Sequence, residues 1–230
     1  MAQQLDVSRV EEKYIISKVE AAKLSERLKQ LIPGDAVNGY ETYMVRSLYF
    51  DSCFDDDYYD KKAAIKERKK IRLRIYDTNT EMVKLELKQK SGVNQRKQTI
   101  EITKEEAKLF CKGKCGFLLE KDHPLAQDIY YIFQKELYRP KCIVEYKRQA
   151  FAVATNNIRI TLDSDISFTE GNLDLFCPRC RMNPADSANR VILEVKYNHF
   201  LLSYIKDALS ICDVSRESYS KYETARKYKL

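Results

Sequence analysis

The sequence predicts an α+β fold in which antiparallel strands form a sheet and helices cover the aliphatic face of that sheet. Three observations predict it: charged and aliphatic residues alternate along five segments, turn-forming residues separate these segments, and capping signals start helices between them. With 230 residues, of which 44% are hydrophobic, the chain can bury a sizeable core. We predict a single domain over residues 1–230.

The helices are predicted from their capping residues. Ser17 with Glu20, and Thr103 with Glu106, match the capping-box pattern, and Pro33-Gly34 ends the first helix. Further helices are predicted at 125–137, 204–211 and 220–227, and a long loop at 171–188. Strands are predicted at 9–17, 45–50, 68–76, 82–89, 96–102, 142–154, 158–162 and 190–197.

Charged and aliphatic residues alternate along these strands, so the two kinds of side chain lie on opposite faces. In residues 71–75, Arg72 and Arg74 lie on one face and three aliphatic residues on the other, because successive side chains of a strand point to opposite sides. The charged sets on the other strands are Arg9, Glu11 and Lys13; Lys84, Glu86 and Lys88; Arg159, Thr161 and Asp163; and Glu194 and Lys196. A single such strand is typical of a half-solvated sheet. Five of them suggest that helices cover the aliphatic face and that the charged face is either open to solvent or rolled inward.

A charged face that is rolled inward would line a tunnel. Concentrated cations in such a lumen require a polyanion, and arginine offers phosphate a pair of parallel hydrogen bonds. The net charge of +7 agrees with a polyanionic partner without identifying it. Carboxylates among the cations predict a divalent metal, Mn²⁺ or Mg²⁺, between acid and phosphate.

Other features exclude or disfavour several classes of protein. The chain has no apolar run near the roughly 20 residues that a membrane-spanning helix needs, and residues 1–13 lack an apolar signal segment, so we expect a soluble, cytoplasmic protein. Because the chain has two histidines, we expect no histidine-based metal or hydrolase centre. The seven cysteines are predicted to be reduced, with Cys177 and Cys180 as ordinary residues rather than a zinc site. Residues 55–57, all aspartate, are predicted to be exposed turn residues.

A set of motifs in fixed order resembles the VTC domain, the polyphosphate polymerase branch of the CYTH-like triphosphate tunnel metalloenzymes. The resemblance spans the chain from about Arg9 to Tyr222 and implies an antiparallel tunnel barrel. The motifs are Glu11-x-Lys13-Tyr14, Ser47-Leu48-Tyr49-Phe50-Asp51, Arg72-x-Arg74-x-Tyr76, Glu86-x-Lys88, Tyr146-x-Arg148-x-Ala150-Phe151, Arg159-x-Thr161-x-Asp163, Leu193-Glu194-x-Lys196 and Ser220-Lys221-Tyr222.

The resemblance also implies roles for particular residues. Glu194 matches the metal-binding glutamate, and Lys97 matches a tunnel lysine unless a shift of one residue puts Arg96 there. Two positions depart from the family: Ser218 replaces a lysine of fungal members, and Arg9-x-Glu11-x-Lys13 replaces the superfamily's Glu-x-Glu-x-Lys. The implied catalytic set is Lys13, Arg72, Arg74, Lys88, Lys97, Arg148, Lys196 and Lys221, of which Arg72, Arg74, Lys88 and Arg148 are also implied to be cofactor-binding.

Three functions follow as hypotheses. The resemblance implies transfer of the γ-phosphoryl of ATP to a growing polyphosphate chain. Hydrolysis of inorganic or nucleoside triphosphate needs only water as the acceptor in the same tunnel. A non-catalytic polyanion binder is the third, but a nucleic acid partner is disfavoured because the sequence shows neither aromatic stacking platforms nor a groove-reading helix. The sequence leaves open the oligomeric state and a membrane-bound partner.

Overall fold

The structure is a computed structural model of the chain. It describes residues 9–34, 36, 38–92, 94–185, 189–212 and 217–227; of Arg9, which begins the first strand, it describes the backbone only, so the predicted direction of that side chain lies outside the described part. The chain forms two compact units. Unit 1 is Met1–Met44, Tyr146–Ile166 and Asp186–Tyr219, and unit 2 is Val45–Glu145, Ser167–Ala185 and Ser220–Leu230. The expected single domain stays a prediction.

The described residues contain nine strands and six α-helices. The strands are β1 (Arg9–Ser17), β2 (Tyr43–Asp51), β3 (Glu67–Ile75), β4 (Met82–Ser91), β5 (Asn94–Thr103), β6 (Arg139–Val153), β7 (Ile158–Thr169), β8 (Asn183–Pro184) and β9 (Arg190–Asn198). The helices are α1 (Lys18–Leu31), α2 (Asp56–Lys62), α3 (Lys104–Cys111), α4 (Pro124–Lys135), α5 (Ser203–Leu209) and α6 (Lys221–Arg226).

Unit 1 is a sheet with strand order β1-β9-β7-β6, in which β9 runs antiparallel to both β1 and β7. One face of this sheet is aliphatic and carries Val191, Leu193 and Val195 of β9. This face packs in one buried cluster with Leu24 of α1 and Ile205 of α5. The helices therefore cover the aliphatic face, which leaves the alternate residues of the strands on the opposite face.

Unit 2 is a sheet with strand order β6-β2-β3-β4-β5, and the short β8 pairs with the end of β7. Its aliphatic core includes the fully buried Leu73 and Leu85. Three aromatic rings join β2 to the helices: Phe50 lies 4.9 Å from Phe110 of α3 and 5.4 Å from Phe133 of α4, measured between ring centroids. The alternation on β3 and β4 thus separates a packed face from a charged one.

The predicted α+β class with antiparallel strands is confirmed, and closure of the strands into a barrel remains a prediction. Both predicted capping boxes are present, because Ser17 and Thr103 each accept a hydrogen bond from the backbone N–H of the glutamate three residues later. Among the described residues, no helix is both long and apolar enough to cross a membrane. All seven cysteines are free in the structure.

The prediction for residues 55–57 was wrong for Asp55 and Asp57, whereas Asp56 is exposed as predicted, although it begins a helix rather than lying in a turn. Asp55 and Asp57 are buried, Asp55 has the left-handed φ of 62°, and α2 begins at Asp56. Asp57 is only 1% exposed and accepts a hydrogen bond from the hydroxyl of Tyr138 at 2.8 Å. Burial, with the nearby Asp51, raises the pKa of Asp57 to about 8. The sequence pattern missed this because three acids in a row give no apolar face, and their partners are far away in the chain, such as Tyr138 for Asp57 and Arg226 for Asp55.

Candidate functional site

A buried carboxylate organises the charged face of unit 2. Glu86 of β4 is 1% exposed, and its Oε2 atom lies 2.6 Å from Nε of Arg72 and 3.8 Å from Nη1 of Arg74. Its Oε1 atom lies 2.5 Å from Nζ of Lys97. Burial alone would raise the pKa of Glu86, but these three cations lower it to about 2. The carboxylate is therefore ionised at neutral pH and orients the cations around it.

Strand register brings these side chains together. Arg72 of β3 is opposite Glu86 of β4, and Lys97 of β5 is opposite Lys88 of β4, one step further along the same face. Arg72 also donates from Nη1 to the hydroxyl of Tyr49 at 3.0 Å, so two neighbouring strands fix its guanidinium. Cross-strand neighbours on one face lie close enough to interact, which is why alternating residues form one cluster.

The geometry distinguishes Lys97 from Arg96. Lys97 contacts Glu86 on the same face as Arg72, whereas Arg96 is opposite Gln89 and belongs to the other face of β4 and β5. Arg96 instead lines a cavity of about 450 Å³ together with Asp60 and Glu67. Of the two candidates for the tunnel lysine, only Lys97 joins the Arg72 cluster.

A second cluster lies on the charged face of unit 1. Nζ of Lys13 lies 3.2 Å from Oε1 of Glu11 and 3.6 Å from Oε1 of Glu194, and Nζ of Lys196 lies 3.1 Å from Oε2 of Glu194. The register explains this, because Lys13 of β1 is opposite Glu194 of β9, and Glu11 is opposite Lys196. Burial lowers the pKa of Lys196, and the two glutamates offset part of that effect.

Arg148 of β6 belongs to the same cluster. Its Nε and Nη2 atoms donate to the two carboxylate oxygens of Asp163 at 2.6 and 2.7 Å, and Nη2 lies 4.0 Å from Glu194. Burial alone would lower the pKa of Arg148, but Asp163 is the main group that raises it well above its usual value. The paired hydrogen bonds hold the guanidinium plane in one orientation.

The donors around Glu194 suit a hard divalent cation. Glu194 and Glu11 supply carboxylate oxygens, the ligands that Mg²⁺ and Mn²⁺ prefer. Within the described ranges no three acidic, histidine or cysteine side chains group closely enough to enclose a metal ion. Mg²⁺ commonly binds through one or two carboxylates and completes its coordination with water and phosphate. The residues present fit a metal that a phosphate ligand helps to hold.

A known protein family matches nearly the whole chain. The model of the VTC domain family matches residues 8–229 of this chain. The chain belongs to the VTC domain family. A search of curated proteins gave no match to this VTC domain.

Solved structures show the same fold at low sequence identity. HpAC1 from Hippeastrum, a proposed adenylyl cyclase with a dominant triphosphatase activity, is 16% identical with a TM-score of 0.58, covering 97% of each chain. A proposed adenylate cyclase from Bacillus halodurans is 13% identical with a TM-score of 0.52, and the match covers 92% of this chain and 93% of that one. A proposed adenylate cyclase from Vibrio parahaemolyticus is 14% identical with a TM-score of 0.52, and the match covers 94% of this chain and 96% of that one. These likenesses establish the fold of this VTC domain.

The two units hold different members of the predicted set. Unit 1 brings Lys13, Arg148, Glu194 and Lys196 together, and unit 2 brings together Arg72, Arg74 and Lys97 around Glu86. Lys88 and Lys221 also belong to unit 2. Lys88 is partly buried on the face of Arg72, and Lys221 is the first residue of α6. The role of each residue stays a prediction.

Sequence reasoning missed several residues of these clusters. Tyr49, which accepts from Arg72, and Lys70, which is opposite Lys88, were not assigned to the site. Lys70 had a detectable signal, because it precedes Arg72 and Arg74 at the same spacing of two. Glu86 and Asp163 form ion pairs with Arg72 and Arg148.

Proposed function

We propose that this VTC domain is a metal-dependent phosphotransferase that lengthens inorganic polyphosphate with the γ-phosphoryl group of ATP. The observation that carries the proposal is that, in each unit taken by itself, cations expected to hold phosphate lie on the charged face and are oriented by a buried carboxylate, as Arg72 is by Glu86 in unit 2 and Arg148 by Asp163 in unit 1. The match of the family over residues 8–229 supports it. ATP and polyphosphate are the partners, with no nucleic acid.

The proposed reaction requires positioning more than covalent participation by the protein. A terminal oxygen of the polyphosphate chain forms a bond to the γ-phosphorus of ATP, and the bond to the bridging oxygen breaks to release ADP. Arg72, Arg74 and Arg148 bind phosphate oxygens and neutralise their charge, and Lys88, Lys97 and Lys221 extend that lining. Such catalysis depends on alignment and electrostatic stabilisation.

Glu194 is the proposed metal ligand, with Glu11 beside it. Mn²⁺ or Mg²⁺ at this position would neutralise negative charge on the phosphate oxygens. Lys13 and Lys196 contact both glutamates. We propose that they hold the carboxylates in place and turn toward phosphate when it binds.

Triphosphate hydrolysis is the second candidate. The specific observation in its favour is the fold similarity to HpAC1, for which a dominant triphosphatase activity is described. The same residues would bind the triphosphate, and water would replace the phosphate chain as the acceptor. A polyanion binder without turnover is the third outcome to be tested.

The test is incubation of the protein with ATP and Mn²⁺, with ADP, free phosphate and chain products followed separately by gel and phosphorus NMR. We expect ADP and long chains in matched amounts. Free phosphate without chains would replace the polymerase proposal with hydrolysis. Binding of polyphosphate without release of ADP would leave only the third candidate.

Two variants test the site assignment. Arg72→Ala and Glu194→Ala should each lower turnover by about 100-fold or more while the protein stays folded, because the first removes a cation that stabilises the transferring group and the second removes the proposed metal ligand. Lys114→Gln, at an exposed position after α3, removes one positive charge elsewhere and should keep full turnover. Activity of Arg72→Ala or Glu194→Ala equal to that of Lys114→Gln would disprove the assignment.

A further inference from the structure

Two cysteines face each other across a turn in the loop that precedes β8 in unit 2. Pro178 and Arg179 form the turn, so Cys177 and Cys180 occupy its first and last positions. Proline fixes φ at the second position of such a turn, and the described residues of positive φ do not include Arg179. The end Cα atoms of a β-turn are less than about 7 Å apart, and a disulfide spans about 4.4–6.8 Å between Cα atoms. The backbone therefore places both cysteines within reach of a disulfide.

The side chains of the two cysteines also interact. Burial is the main cause that raises the pKa of the Cys180 thiol, and Cys177 raises it further through its charge and through a hydrogen bond between the two side chains. The positive charge of Arg46 acts in the opposite direction and favours the thiolate, which is the form that attacks a disulfide. The two sulfur atoms therefore lie on the same side of the turn, as disulfide formation requires.

Both cysteines of this pair are partly exposed. Three of the other cysteines are buried and shielded from reagents in solution: Cys115, Cys142 and Cys212. Cys53 is exposed, but the cysteine nearest to it in the sequence is Cys111. Cys177 and Cys180 thus combine access from solution with a second thiol at close range, the arrangement that favours disulfide formation.

Arg46 of β2 holds the start of the turn. Its Nη1 atom donates to the backbone carbonyls of Leu175 at 3.1 Å and of Cys177 at 2.6 Å, and its Nε atom donates to Glu145 at 2.6 Å. Arg46 is only 3% exposed, so water competes little for these hydrogen bonds. Because the backbone of Cys177 is already fixed, closing a disulfide ring would order few additional bonds.

A disulfide suits this pair better than a metal ion does. The spacing of Cys177 and Cys180 also occurs in zinc sites, but a structural zinc ion takes four ligands. In the part of the chain that the structure describes, no third histidine, cysteine or acidic side chain joins the pair closely enough to hold a metal ion. A disulfide, by contrast, needs only the two thiols that are present.

We infer that Cys177 and Cys180 form a reversible dithiol–disulfide site that reacts with low-molecular-weight disulfides. One thiolate attacks a sulfur of the small disulfide, whose S–S bond breaks, and one small thiol leaves with the electron pair of that bond. The second thiolate then attacks the protein sulfur of the mixed disulfide and expels the second small thiol. The two cysteines are oxidised, the small disulfide is reduced, and the two thiol protons pass to the released thiols.

This site is independent of the proposed function. Ser47, which follows Arg46 in β2, accepts a hydrogen bond from Nε of Arg74 at 3.2 Å. Successive residues of a strand point to opposite faces, so Arg46 holds the turn on the face of β2 that lies away from Arg74. Oxidation of the pair can therefore be measured without ATP, metal or turnover.

The test is incubation of the folded, reduced protein with oxidised glutathione, followed by intact mass spectrometry and by peptide mapping after trypsin digestion. We expect the pair to lose two hydrogens without keeping a glutathione adduct, and Cys177 and Cys180 to stay linked although trypsin cleaves after Arg179. Alkylation of both cysteines should fall at least about tenfold and return with excess reduced glutathione. Unchanged alkylation, or a glutathione adduct on either cysteine with no link between the two, would overturn the inference.

Three variants separate the pair from the other cysteines. Cys53→Ser removes an exposed cysteine elsewhere and should keep the link between Cys177 and Cys180. Cys177→Ser and Cys180→Ser should each leave the remaining cysteine of the pair with a glutathione adduct that the wild type lacks at that position. If the loss of two hydrogens persisted in Cys177→Ser, other cysteines would be its source and the inference would fail. The peptide map of the wild type decides the question by itself if a variant does not fold.

Discussion

Arg72 shows how single residues are oriented in this protein. Its guanidinium is fixed from two sides: Nε donates to Glu86 at 2.6 Å, and Nη1 donates to the Tyr49 hydroxyl at 3.0 Å. The guanidinium carbon also lies 5.7 Å from the centroid of the Tyr49 ring. A guanidinium that is held in one orientation is aligned with the phosphate oxygens on which charge changes during transfer, so it need not reorient at that step. We therefore expect Tyr49 to act as a positioning residue.

Tyr49→Phe tests this role. The variant keeps the ring and its stacking on Tyr222 but removes the acceptor for Arg72, so we expect kcat to fall about fivefold to tenfold with KM for ATP changed less than about twofold. Tyr43→Phe is the matched control, because the Tyr43 hydroxyl accepts from Arg159, at 3.4 Å and outside the predicted site. Steady-state kinetics checks both. An unchanged kcat, or the same loss in both variants, would exclude a positioning role for Tyr49.

At the scale of elements, capping residues convert strands directly into helices. β1 ends at Ser17 and α1 begins at Lys18, with the Ser17 Oγ accepting from the Glu20 N–H at 3.2 Å and the Glu20 carboxylate accepting from the Ser17 N–H at 2.8 Å. Thr103 and Glu106 repeat this between β5 and α3. Each box satisfies backbone donors that would otherwise lack partners at a helix start.

Ser17→Ala should lower the free energy of unfolding by about 1 kcal/mol, because alanine cannot accept the hydrogen bond from the Glu20 N–H. Ser17→Asn keeps an acceptor at the cap, so its free energy of unfolding should fall clearly less than that of Ser17→Ala. Urea denaturation of the three proteins measures the difference. If Ser17→Ala were as stable as the wild type, packing of α1 alone would determine where the helix begins.

For the whole molecule, the arrangement of charge matters more than its sum. The net charge is +7, yet the buried cations of each unit are matched by carboxylates such as Glu86 and Asp163. A buried cation without its carboxylate would be costly. Stability should therefore depend on the ionisation of these few acids and vary with pH.

The pH dependence follows from Glu86. Its pKa is lowered from 4.5 to about 2, so the stabilisation is fully present above about pH 4.5 and is lost as the pH falls toward 2. Over this range the wild type should lose on the order of 3 kcal/mol that Glu86→Gln, which cannot titrate, does not lose. Denaturation at several pH values measures this, with Glu120→Gln, at an exposed position, as the control. Parallel curves for the wild type and Glu86→Gln would contradict the assignment.

Much of the fold followed from local patterns in the chain. The alternation in 71–75 and 190–197 predicted which side chains pack and which carry charge, and the capping pairs at Ser17 and Thr103 predicted where helices begin. These features depend on backbone geometry over a few residues, so they can be recognised without knowledge of the partners. Arg72 and Arg74 were candidates for the same reason, whereas Lys97 was implied by the resemblance to the VTC domain.

The sequence by itself determined the class of fold, the charged and aliphatic faces of the strands, and the residue types available to bind phosphate. Only the tertiary structure decided that Lys97 rather than Arg96 joins Glu86, that Asp57 is buried, and that Ser220 meets Lys70. The physical reason is that alternation assigns a side chain to a face, whereas its partner depends on the register between strands and on contacts between residues far apart in the chain. Residues 70 and 220 are neighbours through packing alone.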